Sequence, residues 1–192
     1  KLIGWSYPNP GNEIADNSNT HFAVMGLHAA ARAGAKVDAA VWKQIRDLYV
    51  ATQHRSGGWA YMTTGGDMPT RNMTLAGLLG LAVAGQHDEG AKGPDPAFEK
   101  GMQALLGSEW KADGRSASYA WLTTAELGRV LGDTEFKAGK LAKPWYREAA
   151  EKLVKEQRKD GSWKLDEPSL DSDYPVVTTA CGLYLLGPAP KK

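Results

Sequence analysis

Several things are scarce in this chain of 192 residues. It holds one cysteine, Cys181, so no internal disulfide framework can form and no zinc site can be built from several thiolates. No apolar run approaches the roughly 18–20 residues that a membrane-spanning helix needs. Neither sign of charge dominates: 23 Lys and Arg face 22 Asp and Glu, a formal net charge of +1. A surface made to neutralise phosphates carries a basic surplus, so nucleic acid is not the expected partner. The chain has only four histidines, His21, His28, His54 and His87, and none follows Cys181. No Gly-rich phosphate loop stands out either, because Gly57-Gly58 and Gly65-Gly66 lack the strand and lysine of such a loop. What is left is an ordinary globular composition, 42% hydrophobic and 23% charged, with 22 glycines and 7 tryptophans. By length this is one domain with enough chain to bury a core.

The tryptophans are not scattered. Trp5, Trp59, Trp110 and Trp163 follow one another at 54, 51 and 53 residues. Gln53 to Trp59 and Gln157 to Trp163 share the phrase Q-x-x-x-G-x-W, through Gly57 and Gly161. Gln103, Gly107 and Trp110 form a third copy with one extra residue before the tryptophan. A threonine keeps the same frame, with Thr20, Thr74 and Thr178 falling 15 residues after their tryptophans and Thr124 falling 14 after. Two landmarks kept over four copies define a repeat of about 52 residues.

Each threonine opens an apolar stretch: Phe22 to Ala33, Leu75 to Ala84, Ala125 to Leu131 and Val176 to Leu186. A helix apolar nearly all round is a buried one. Candidate N-caps precede these stretches (Asp16, Ser18, Thr70, Asn72, Ser116, Ser118, Ser172 and Asp173), and Gly34, Gly85, Gly132 and Gly187 are candidate stops. Between them Val41 to Gln53, Ala97 to Leu106 and Trp145 to Gln157 are amphipathic. The pattern predicts four inner and three outer helices. The glycine of the phrase suits a left-handed residue closing an outer helix, the glutamine can satisfy orphan backbone groups, and the tryptophan can cover the turn.

This phrase and spacing resemble the QW repeat of terpenoid cyclases and protein prenyltransferase β subunits. Asp16-Asn-Ser-Asn-Thr20 before an Ala-rich helix resembles the bacterial prenyltransferase/squalene-oxidase-repeat proteins. The resemblance covers residues 4–187 and implies an all-α chain, a partial α/α toroid whose inner helices ring a cavity. Residues 1–187 are then the toroid domain, an arc of a longer chain, and residues 188–192 a Pro-rich tail. An N-terminus without Met reads as processed or excised, and the compartment is not legible.

The chemistry that the resemblance implies is only partly present. Class II cyclases protonate an alkene or epoxide with D-x-D-D or D-C-T-A-E at the start of an inner helix. Here Leu122-Thr-Thr-Ala-Glu126 keeps T-A-E but has leucine in place of the acid. Asp171-Ser-Asp173-Tyr174 keeps D-x-D and ends in tyrosine. Glu126, Asp171 and Asp173 are therefore the candidate acids, with helix capping the plainer role for the aspartates. The Asp, Cys and His zinc ligands of the prenyltransferases are not found, nor is the G-C-G-E-Q thioester phrase around Cys181. His21 and His28, two turns apart on one helix face, together with Trp121 and Tyr174, are candidate cavity-lining residues. No metal and no cofactor are implied. The expectation is a non-catalytic scaffold or binding module for an apolar small molecule, a peptide or a protein. The alternatives are an isoprenoid enzyme whose acid lies outside this segment, and a carbohydrate-active toroid using a carboxylate pair such as Glu126 and Asp173.

Overall fold

The computed structural model describes residues 2, 4–7, 15–64, 67–88, 95–110, 117–164 and 175–190. Among these the chain is all-α apart from one small hairpin. Seven helices run in the order α1 (Asn17–Arg32), α2 (Ala39–Thr52), α3 (Arg71–His87), α4 (Pro96–Gly107), α5 (Ala117–Leu131), α6 (Trp145–Glu156) and α7 (Pro175–Leu186). Four coincide with the expected inner stretches and three with the expected outer ones. Two strands, β1 (Phe136–Ala138) and β2 (Leu141–Lys143), pair antiparallel between α5 and α6, with Phe136 opposite Lys143. Sequence periodicity does not anticipate this hairpin, since three residues per strand are too few to display an alternation.

The chain divides into two compact units, residues 1–105 and 106–192. In the first, α3 is the centre. Twelve of its 17 residues are buried, from Asn72 to Ala84, and α1 and α2 pack against it. Thr70 caps it by accepting from Met73 N–H at 3.2 Å. Asp16 caps α1 by accepting from Asn19 N–H at 2.7 Å. Asp38, outside the capping positions expected from the apolar stretches, caps α2 through Ala40 N–H at 2.8 Å. Gly34 ends the first apolar stretch at φ 93°, donating to Ala31, while Ala35 donates to Ala30. Gly85 is not a stop, because α3 runs through it to His87. The capping aspartate of α4, Asp95, accepts from Ala97 N–H at 2.8 Å and pairs with Arg46 of α2 at 2.7 Å.

In the second unit α5 packs on α7 and on α6. Gly132, at φ 69°, stops α5 with a Schellman pair, Gly132 N–H to Arg129 and Asp133 N–H to Gly128. Ser118 lies inside α5 rather than at its cap, and Ser116, Ser172 and Asp173 fall outside the described residues. Two stretches expected to be buried are partly open. Phe22 on α1 is 54% exposed, and α7 buries only Thr178, Gly182 and Leu185.

Close approaches to glycine set the helix spacing. A Cβ at Gly80 would enter the ring of Tyr49, one at Gly77 the ring of Trp59, and one at Gly128 the ring of Trp145. Helix interiors ordinarily disfavour glycine by about 1 kcal/mol relative to alanine. Here the missing side chain makes room for an aromatic ring that contributes more.

Candidate functional site

The Q-x-x-x-G-x-W phrase forms the same small structure twice. After α2, Gln53 Nε2 donates to Gly57 O at 2.8 Å, and His54 N–H donates to Gly58 O. After α6, Gln157 Nε2 donates to Gly161 O at 3.0 Å, and Arg158 N–H donates to Ser162 O. Both glycines are left-handed, at φ 97° and 83°. Both tryptophans send the indole N–H back ten residues into the helix just finished: Trp59 to Tyr49 O at 2.8 Å and Trp163 to Leu153 O at 2.7 Å. The backbone N–H of each tryptophan then donates to a threonine hydroxyl on the next inner helix. Trp5 uses Thr20 at 3.0 Å, Trp59 uses Thr74 at 3.2 Å and Trp163 uses Thr179 at 3.2 Å. In the last case the partner is Thr179, one residue beyond the Thr178 that the spacing suggests.

The third copy is built differently. Gln103 and Gly107 lie within α4 and are exposed, and Trp110 is half-buried. In this part of the chain Trp145, the first residue of α6, lies against Gly128 of α5, with its indole N–H donating to Asp133 O at 2.9 Å and its ring stacked on Phe136 of the hairpin. The extra residue before Trp110 is the one sequence sign of that departure.

The buried face of α1 is largely polar: Asn17, Thr20, His21, Val24 and His28. Asn17 Nδ2 donates to Ala60 O at 2.8 Å, and Asn17 N–H donates to Tyr61 O. Thr20 Oγ1 donates to Asp16 O while accepting from Trp5. The face therefore serves to tie α1 to the loop after Trp59. His21 is 1% exposed and lies against Phe22. It does not join His28, which meets His87 instead, across from the end of α3, with His28 Nδ1 and His87 Nε2 3.0 Å apart. The His87 ring stacks on Trp42 of α2 at 4.1 Å and 11°. Burial, and after it the neighbouring His87 and Arg32, hold the His28 imidazole below its ordinary range. The contact of the two rings, with Trp42 stacked on one of them, links α1, α2 and α3. Sequence reasoning found His28 and missed His87 and Trp42. They lie 59 and 14 residues away from it, and no local pattern joins them.

Of the candidate acids, Glu126 is buried on α5 among Thr123, Thr124, Ala125 and Leu127. Asp171, Asp173 and Tyr174 lie outside the described residues. Trp121 is half-buried on α5. Cys181 on α7 is half-buried and forms no disulfide. Among the described residues no three His, Cys, Asp or Glu side chains converge as a metal site, and no helix is long and apolar enough to cross a membrane. Compared with protein-family models, with characterised proteins and with solved structures, the chain finds no match.

Proposed function

We propose that this chain is a QW-repeat module of the α/α toroid type that holds a protein or apolar partner and does not itself catalyse. The observation that carries this reading is how the polar groups of the phrase are used. Gln53, Gln157, Thr20, Thr74 and Thr179 are all engaged with backbone at the turns, while α7 presents an uncharged apolar surface to solvent. Groups engaged in this way build a frame; an exposed apolar face is where soluble proteins take partners.

A second reading, an isoprenoid cyclase or related enzyme, is favoured by one feature. Glu126 is a buried carboxyl on a helix that also carries the half-buried Trp121. A buried acid is the kind of group that alkene protonation requires. The two readings separate by product analysis. The chain, incubated with squalene and with a C20 isoprenoid diphosphate, is expected to return both unchanged by gas chromatography and mass spectrometry. A cyclised product made by the native chain and lost in Glu126→Gln would replace the first reading with the second.

A further inference from the structure

Two of the four histidines meet in the fold, and three helices bring them together. Thr20, Val24 and His28 follow one another every four residues along the buried face of α1, which carries the His28 ring inward near the end of that helix. His87 is the last residue of α3. Trp42, buried on α2, lies flat against the His87 ring, with 4.1 Å between centroids and 11° between planes. That shelf fixes the plane of one imidazole, and burial restrains the other. His28 Nδ1 and His87 Nε2 end 3.0 Å apart, with the rings inclined at 73°. Among the described residues neither nitrogen has another hydrogen-bond partner.

Imidazole nitrogen suits zinc, nickel and copper, and binds zinc at about 2.0–2.1 Å. Two such nitrogens sharing one ion stand about 2.9 Å apart for a right angle at the metal and about 3.3 Å apart for a tetrahedral one. The observed 3.0 Å lies within that span. Burial, His87 and Arg32 all favour the neutral imidazole of His28, which is the form that ligates. His87 is half-buried, so solvent reaches the pair from its side. With no ion bound, the same separation suits a hydrogen bond between the rings, and the pair is satisfied in either state. One charge opposes a cation here, that of Arg32, which acts on His28 from the next turn of α1.

We propose that His28 and His87 form a two-imidazole site for a divalent transition-metal ion of the zinc, nickel or copper class, bound through His28 Nδ1 and His87 Nε2 with water completing its shell. Magnesium and calcium, which prefer oxygen, are not held by such a pair. The site is independent of any docking or catalytic role of the chain. Because α1 and α3 each give one ligand, and Trp42 of α2 supports the second, the ion ties together helices that already pack on one another. Binding to the folded chain alone raises the melting temperature with ion concentration.

Calorimetric titration of zinc chloride into the full chain, at about pH 7.5 where imidazoles are neutral, tests this. One ion per chain is expected, and magnesium chloride in its place should give no binding. His28→Gln and His87→Gln should each weaken zinc binding by about tenfold or more, since a ligand is lost. His54→Gln and Cys181→Ser should leave it unchanged. Arg32→Gln, at an exposed position, should strengthen it by about twofold or more at low salt, because a like charge is gone. Should a His28 variant unfold, imidazole nitrogen NMR of the native chain decides instead. Zinc should then shift the signals of His28 and His87 and spare those of His21 and His54. A native chain that takes up no zinc overturns the proposal. So does zinc binding that is unchanged in His87→Gln, or zinc that shifts His54 and leaves His28 and His87 in place.

Discussion

His28 shows how one buried side chain couples this protein to pH. Its imidazole is held below the ordinary value of 6.5 by burial, by His87 and by Arg32. In the unfolded chain those influences vanish. As pH falls through about 6.5 the unfolded state takes up the proton first, so stability declines from there down to the folded pKa and levels below it. Above 6.5 the residue is neutral in both states and contributes no slope. Melting temperature measured across this range is expected to drop on acidification, and His28→Gln should flatten the drop. Tyr49 is a quieter case, with its hydroxyl buried and lacking a hydrogen-bond partner among the described residues, and its phenol pushed upward by burial. Its ring lies edge-on to Trp59, and the tight fit against Gly80 explains why a Tyr tolerates that position.

Between the elements, the two turns of the phrase differ in what they join. Gln53 links its own turn and the start of α4; Gln157 closes its turn alone and is exposed. Gln53→Ala removes two bonds at a half-buried position and should cost about 1–2 kcal/mol in urea unfolding. Gln157→Ala should stay within about 0.5 kcal/mol, as surface substitutions usually do. Equal losses at the two sites would show that the second bond to Ala97 contributes nothing. Much of this level was legible beforehand. The glycine at positive φ and the threonine 15 residues on follow from spacing and turn chemistry, and the structure has both around Trp59. The third copy was not legible. Gln103 and Gly107 have the right identities, but α4 continues through them, and Trp145 fills the space by Gly128 from a different place in the chain.

Across the whole molecule, protection should follow coverage. The middle of α3 is enclosed by α1, α2 and α4, whereas α7 leaves Val176, Val177, Leu183 and Tyr184 exposed. Amide exchange is therefore expected to be slower in α3 than in α7 by about an order of magnitude or more. Comparable rates in the two helices would contradict that ordering. Two helices with similar composition differ in stability because of what lies beside them.

The sequence by itself determined where the described helices lie, because apolar periodicity and local capping are properties of neighbouring residues. It also determined the turn phrase, whose hydrogen bonds reach no further than one repeat. Only the tertiary structure decided which apolar surface is interior. It brought His28 to His87 and Trp42, set Trp145 against Gly128, built a hairpin from Phe136 to Lys143, and left much of α7 exposed. Burial depends on the neighbour across the gap, and a one-dimensional pattern states that a face is apolar without stating what will cover it.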